Sequence, residues 1–382
     1  MKIDDIRESI EVYRLKDFGF QGDSTGVSRE ELLLLLRKYS GDIRDKLESI
    51  DIEEALEKYI EVYSDIDGFR ESNLRLYLKP VSNLDRYPLP PIRDIIDSNR
   101  YNLISAFDAS SHSPRGHGEP TYMLLSMGYS IWGSAEYVYN RNAHIPYFIL
   151  IKNYELDLRL IEKYVEYIFL EGFVTYLRDV SKEYGFKEIY MFFDESFNLS
   201  YTYSFAKDIR DSYIDMYKEI FGLLDRYGVI YGGIFYSGAT TISKYLMEFQ
   251  HIDFEVRDRH IMNRYLEEST YSQVLKVVSH ALDEHGLDIY TVFLKLGEGN
   301  VIRIEFPSSI YRSRRFLDLI RVVYLDAVRG DGYPYLLARA HENCVLRGDI
   351  RRFIEVDVSN IFSDSYLRAI SRKNIRKWRR IV

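Results

Sequence analysis

Cysteine is nearly absent: Cys344 is the only one in 382 residues. An internal disulfide is thereby excluded, which fits a reducing compartment. Long apolar runs are missing too, and no stretch approaches the ~20 residues that a bilayer-crossing helix needs. The opening MKIDDIRESIEVYR has no signal-peptide pattern. The expectation is a cytoplasmic protein without a membrane partner. Proline is scarce, and three of the nine prolines fall together in Tyr87-Pro88-Leu89-Pro90-Pro91. Such a cluster interrupts regular structure and marks a boundary.

What is present describes a globular protein: 46% hydrophobic and 29% charged residues. The chain exceeds the usual single domain in length. The net charge of −8 is unevenly spread. From Val301 to Val382 there are 17 Lys and Arg against 9 Asp and Glu, whereas the first 300 residues hold 34 basic against 50 acidic side chains. Arg368 to Arg380 carries seven basic residues and no acid. An acidic body with a basic end can still hold a polyanion through that end; a terminal helix packing Ile370, Ile375 and Trp378 is the plainer alternative.

Residues 1–86 read as a helical N-terminal region, and residues 87–382 as the main domain with a basic tail. Glu30 to Arg37 follows Ser28, a plausible N-cap, with Glu31 completing a capping box. Ile52 to Tyr63 repeats apolar residues at helical spacing. Beyond the proline cluster, Tyr101 to Phe107 is almost continuously apolar, as a strand covered on both faces would be. Strands over Thr121–Trp132 and Ala143–Leu150 would complete a meander. The polar loop Ser111–Pro120, between the Tyr101–Phe107 strand and Thr121, holds His112 and His117; without a matching Cys or His pair they read as exposed rather than metal-binding. A long helix is expected from Asp157 to about Glu183, closed by Gly185, then a strand ending at Asp194. A helix over Ala206–Tyr227, a strand over Gly228–Tyr236 and a helix over Thr240–Phe249 follow. Ile289–Leu296 and Val301–Pro307 form a hairpin pattern across Gly297–Asn300, and helices start near Arg314 and Tyr335.

Two apolar strands thus each end in an aspartate, Asp108 and Asp194, with a serine two positions on. A carboxylate beside a core is costly unless paired, hydrogen-bonded or bound to a metal. Two brought together repel, and a divalent cation relieves them. On the long helix Tyr164, Ile168, Glu171 and Thr175 share a stripe by counting threes and fours, which offers Glu171 as a third acid and leaves Glu162 and Glu166 to solvent. Strands first, then a helix carrying an acid, then a strand ending in an acid: this order suggests an α/β protein with an RNase H-like mixed sheet flanked by helices. Actin-like kinases share the topology but need Gly-rich phosphate loops. Here Asp108 is followed by Ala-Ser-Ser and Asp194 by Glu-Ser-Phe, so a nucleotide-phosphate cradle is poorly supported.

Five stretches, in order, carry a resemblance: Ala106-Phe107-Asp108-Ala109-Ser110, Met191-Phe192-Phe193-Asp194-Glu195-Ser196, Ile230-Tyr231-Gly232-Gly233-Ile234, Arg303-Ile304-Glu305-Phe306-Pro307, and Gly332-Tyr333-Pro334 running to Ala340-His341. Over roughly residues 102–349 the chain resembles the NurA family of DNA nucleases. The resemblance implies a manganese-dependent nuclease (Mg²⁺ being the other candidate) with an RNase H-like core. It implies a homodimer that works on DNA ends with a HerA-type hexameric translocase in end resection and repair. Carried over by position, Asp108, Asp194, Glu171 and His341 would hold the metal, and Tyr333 would complete the catalytic set. The residue pattern itself leaves His341 open between site and core, and Tyr333 between binding a phosphate and packing. Where the family has glycine this chain has Ala109 and Glu195, and the lysine that commonly follows the glycine strand is absent, Lys244 being a substitute at a distance. A second reading therefore stands beside the enzyme: a NurA-like adaptor on DNA or on the translocase, impaired in catalysis.

Overall fold

A computed structural model describes residues 10–14, 76–81, 86–112, 122–134, 138–151, 157–236, 238, 241–242, 256–297 and 299–346. Its strands are β1 (Ile10–Arg14), β2 (Leu76–Pro80), β3 (Arg86–Pro88), β4 (Asn102–His112), β5 (Tyr122–Ser134), β6 (Val138–Ile151), β7 (Glu188–Phe193), β8 (Ile230–Phe235), β9 (Thr270–Ser272), β10 (Leu275–Ser279), β11 (Ile289–Gly297) and β12 (Asn300–Pro307). Among the described residues the helices of eight residues or more are α1 (Ile92–Asn99), α2 (Leu158–Tyr184), α3 (Lys207–Arg226), α4 (Asp258–Tyr265), α5 (Phe316–Arg329) and α6 (Tyr335–Cys344).

The strands form one mixed sheet in the order β1-β6-β5-β4-β7-β8-β12-β11-β10-β2, with β9 bridging β11 and β3. Its centre has the RNase H-like arrangement. The β4-β5-β6 meander is antiparallel, while β7 and β8 add parallel to β4 and to each other. Asn102 to Phe107 and Ile189 to Phe193 are buried without interruption, as parallel strands covered on both faces require. The hairpin over β11 and β12 then extends the sheet beyond β8.

The first 86 residues differ from the helical expectation where they are described. Both β1 and β2 are strands, added at opposite ends of the sheet through β6 and β10. A strand added to an edge gains main-chain hydrogen bonds that helical periodicity in neighbouring residues cannot forecast. The stretches Glu30–Arg37 and Ile52–Tyr63 lie outside the described residues, as do His117, most of Thr240–Phe249, and the basic run Arg368–Arg380.

Helix α2 begins at Asp157, whose side chain accepts the Arg159 N–H, and ends at Gly185, left-handed at φ 74° with its N–H on the Ser181 carbonyl. Helix α6 follows Pro334, a residue suited to a helix start because it has no N–H to leave unpaired. Leu336, Leu337, Ala340 and Cys344 of α6 are buried, and the helix lies on the meander so closely that Gly128 of β5 has no room for a side chain. A Cβ there would stand 2.1 Å from the Ala340 carbonyl oxygen and 2.5 Å from the Cys344 nitrogen, both backbone atoms.

Gly128→Ala is therefore expected to push α6 off the sheet and lower stability by about 1–3 kcal/mol. Denaturant unfolding of the metal-free protein measures it; an unchanged midpoint would contradict the close packing of α6 on β5.

Candidate metal-binding active site

Strand register creates the site. In the parallel β4–β7 pair Phe107 stands opposite Phe193. The next residues, Asp108 and Asp194, thus stand side by side where the β4–β7 pairing stops, with the strands about 4.8 Å apart. Strand β7 ends there as the sequence suggests, whereas β4 runs on beside β5 to His112, so Asp108 lies within its strand rather than at its end. Beneath them Phe107 stacks on Phe169 of α2 at 5.2 Å and meets Phe193 edge-on at 5.8 Å. The two carboxylates stand on an apolar floor. Together with Ala109, Glu166 and Glu195 they line a cavity of about 160 Å³.

Tyr333 and His341 reach the same point from the far end of the chain. The Tyr333 hydroxyl donates to Asp194 Oδ1 at 2.8 Å. His341 Nδ1 lies 2.7 Å from Asp108 Oδ2 and 3.9 Å from Asp194 Oδ2. The His341 side chain is 59% exposed, so it stands at the rim rather than inside the core. Asp108 also accepts the Ala109 N–H on Oδ1 at 2.8 Å and lies 3.1 Å from the Cys344 sulfur through Oδ2. Tyr236 stacks on Tyr333 at 5.0 Å and donates to the Gly332 carbonyl, which fixes the tyrosine that touches Asp194.

Glu171 does not join this cluster. It is exposed, as are Ile168 and Thr175 of the proposed stripe, and the Thr175 hydroxyl bonds back to the Glu171 carbonyl. The helix-borne acid is Glu166, one of the two that were assigned to solvent. Five residues separate the pair, which puts them about 140° apart around a helix of 3.6 residues per turn. Glu166 lies on the buried line continued by Phe169, Leu170, Phe173 and Leu177. Glu162, also assigned to solvent, is half-buried, and burial raises its carboxyl above the usual range.

A cation missed in the sequence stands behind the acids. Lys163 of α2 is buried, with its Nζ 2.5 Å from Glu166 and 3.1 Å from Glu195. Glu195 also accepts the Tyr217 hydroxyl at 2.6 Å, and the Tyr217 ring lies 4.6 Å from the Lys163 ammonium. Burial works against the charge on Lys163, but Glu166 and Glu195 outweigh it and hold the ammonium well above its ordinary range. Burial pushes Glu166 up to about 7 although Lys163 pulls the other way. Asp194 is raised as well, by burial and by the charge on Asp108, while the Tyr333 hydrogen bond opposes both. The charge at Glu195, which replaces a glycine of the resemblance, is therefore held by a lysine of α2 and a tyrosine of α3. Lys244, the distant substitute for the family lysine, is outside the described residues.

The turn after Asp194 is fixed from below by a fully buried ion pair. Arg303 Nη2 lies 2.6 Å from Glu305 Oε1. The other Glu305 oxygen accepts the Ser196 hydroxyl at 2.8 Å and the N–H groups of Phe197 and Asn198 at 2.7 and 3.1 Å. Gly233 of β8 passes this turn so closely that a Cβ would stand 2.3 Å from the Glu195 carbonyl oxygen. Gly233 and the Arg303–Glu305 pair thus serve the loop that carries the second acid, while Gly232 makes room for Leu319 of α5 and the Glu305 carbonyl of β12.

The donor set is chemically suited to a hard divalent cation. Four carboxylates converge on one small cavity, two of them raised by burial, with a histidine at the rim; Mn²⁺ and Mg²⁺ prefer such oxygen ligands. Charge of that density beside an apolar floor is costly without a counter-ion. A family model described as the NurA domain matches residues 134–346, more than half of the chain. The chain belongs to the NurA family. NurA proteins are nucleases. The matched span includes Glu166, Asp194, Tyr333 and His341 but begins after Asp108, which enters through the β4–β7 register. No curated protein matches the chain. Among solved structures, a crystal structure of NurA is 10% identical, with a TM-score of 0.45, covering 87% of this chain and 97% of that one. A crystal structure of NurA bound to dAMP and manganese is 12% identical, with a TM-score of 0.41, covering 81% of this chain and 96% of that one. The family assignment rests on the sequence match alone.

Removing Glu305 leaves Arg303 buried without its counter-charge and the Ser196–Asn198 turn without its acceptor. Glu305→Ala is expected to cost about 3–5 kcal/mol, a loss that calorimetric unfolding would register. A loss below about 1 kcal/mol would show that the pair does not anchor the turn.

Proposed function

We propose that this chain is a DNA nuclease that hydrolyses phosphodiester bonds with Mn²⁺, Mg²⁺ being the alternative ion. What carries the reading is the meeting of Asp108, Asp194 and Glu166 in one cleft with Tyr333 and His341 at its edge. The three acids would hold the cation, with His341 within reach of a ligand position. A bound divalent cation of this kind activates a water and offsets the charge of the phosphate. The chain's own part is geometric and electrostatic. The Tyr333 hydroxyl fixes the orientation of Asp194, and His341 holds Asp108 while its exposed ring can meet the substrate. Lys163 neutralises Glu166 and Glu195 from behind, and the apolar floor keeps water from screening these charges.

The wider setting is part of the proposal. DNA ends, single- or double-stranded, are the substrate, the working form is a homodimer, and a HerA-type hexameric translocase is the partner in end resection. The basic run at Arg368–Arg380 supports binding to a polyanion. Among the described residues no helix is long and apolar enough to cross a membrane.

One observation favours a second reading, the adaptor without catalysis. Lys163 already pairs with two of the four acids, so an internal ammonium meets part of the demand for positive charge. A cleavage assay with Mn²⁺ on single-stranded and duplex DNA separates the readings, since an adaptor binds DNA and cuts neither.

For the nuclease, Asp108→Ala, Asp194→Ala and Glu166→Gln are each expected to reduce cleavage at least about 100-fold, more than loss of an outer-shell partner costs. Metal-free melting temperatures should not fall in the two aspartate variants, because each change relieves crowding among the acids. Glu166→Gln also takes a counter-charge from the buried Lys163 and is expected to lower stability, so its cleavage is compared per folded protein. Glu171→Gln should cut like the parent. A Glu171→Gln variant as inactive as Glu166→Gln would reverse this assignment of the helix-borne acid.

The protonation of Glu166 gives a pH dependence with a definite sign. Its carboxyl is raised to about 7 in the metal-free protein, so below that pH a cation has to displace a proton. Mn²⁺ affinity should therefore climb as pH rises through about 7 and then level off. Titration calorimetry at several pH values would show the climb, and Glu166→Gln should flatten it. A wild-type affinity that stays level across this range would remove Glu166 from the ligand set.

A further inference from the structure

Cys344 is the chain's single cysteine and takes no part in the reading above, yet its sulfur stands beside two of the proposed metal ligands. One donor atom each from Asp108, His341 and Cys344 lie within 4.8 Å of one another. Two of the separations are 2.7 Å, His341 Nδ1 to Asp108 Oδ2, and 3.1 Å, Cys344 Sγ to the same oxygen. We propose that Asp108, His341 and Cys344 form a binding site for a thiophilic divalent cation, Zn²⁺ above all, which displaces Mn²⁺ and stops cleavage. The inhibitory part rests on the nuclease reading; the metal site does not.

The argument begins with ligand chemistry. Mn²⁺ is best served by oxygen donors, whereas Zn²⁺ takes sulfur, nitrogen and oxygen together and binds most mixed sites more tightly than Mn²⁺. A tetrahedral Zn²⁺ with bonds of about 2.0–2.3 Å needs donors roughly 3.3–3.8 Å apart. The observed separations require side-chain adjustments of well under about 1 Å on that criterion. Three protein donors leave a fourth position toward the cleft, where water or a substrate oxygen can enter.

The scaffold is set for such a site. Cys344 and His341 are three residues apart on α6, on one side of the helix. The contact of α6 with Gly128 holds that side against the sheet, and β4 delivers Asp108 from below. The N–H of Ala109 occupies Asp108 Oδ1, so Oδ2 faces the sulfur and the imidazole. On binding, the thiol gives its proton to solvent and the thiolate joins the metal; no oxidant or reductant is involved. Glu166 and Glu195 stay with Lys163. A Zn²⁺ ion held this way takes Asp108 and His341 out of the arrangement that Mn²⁺ needs.

Cobalt is the probe, because Co²⁺ accepts the same ligands as Zn²⁺ and reports on sulfur by absorption. Adding Co²⁺ to the metal-free full-length protein should give a near-ultraviolet thiolate-to-cobalt charge-transfer band that Zn²⁺ then bleaches. With one cysteine in the chain, that band can come only from Cys344. In Cys344→Ser the band should vanish and the Kd for Zn²⁺ should weaken about tenfold or more. Zinc should inhibit Mn²⁺-supported cleavage by the parent, and added Mn²⁺ should relieve the inhibition. Cobalt binding to the parent without the band overturns the proposal, a result that depends on no variant folding. Unchanged Zn²⁺ affinity in a folded Cys344→Ser protein overturns it too. A charge-transfer band in a protein that never cuts DNA upholds the metal site and rejects the nuclease reading.

Discussion

Repulsion among four carboxylates in a small cleft is the constraint that organises this molecule. Each of Asp108, Asp194, Glu166 and Glu195 meets a group that offsets its charge or fixes its position: His341, Tyr333, Lys163 and Tyr217. These partners come from α6, the turn before it, α2 and α3. The need to hold acids close together therefore bears on how α2, α3 and α6 meet the sheet. The buried aromatic floor of Phe107, Phe169 and Phe193 sharpens the demand, since charge beside hydrocarbon is poorly screened.

The second demand is accuracy at the turn after Asp194. A carboxylate at a strand end is only as well placed as the loop that follows it. Here the loop is tied to a buried Glu305–Arg303 pair on β12 and leans on Gly233 of β8. Breaking such a pair is costly, although its net contribution to folding is small. Its value lies in geometry, because one carboxylate oxygen collects three donors from the turn and leaves that turn little freedom.

Much of this was legible in the sequence. Continuous apolar runs ending in Asp108 and Asp194, with an intervening helix closed by Gly185, were enough for the RNase H-like centre. The Gly-Tyr-Pro turn and the helix behind it brought Tyr333 and His341 to the right end of the sheet. Glu171 was misplaced for a clear reason: Tyr164, Ile168, Glu171 and Thr175 do share a stripe, but the stripe through Phe169, Phe173 and Leu177 is the one the sheet covers. A long helix with apolar residues on several sides offers more than one stripe, and only the partner surface decides between them. Lys163 had no signal at all, since an isolated lysine on a helix reads as solvated until the two acids opposite it are known. The edge strands β1 and β2 were likewise invisible, their pairing being set by distant backbone.

The distance along the chain between the groups that meet at the site has a bearing on synthesis. His341 and Asp108 touch across 233 residues, and Tyr333 and Asp194 across 139. During translation Asp108 and Asp194 leave the ribosome well before α6 does. A nascent chain can thus assemble much of the sheet while still lacking the helix that closes the cleft over Asp108. For a protein whose proposed work is cutting nucleic acid, a site that needs both β4 and α6 stays incomplete until α6 has emerged and docked on β5.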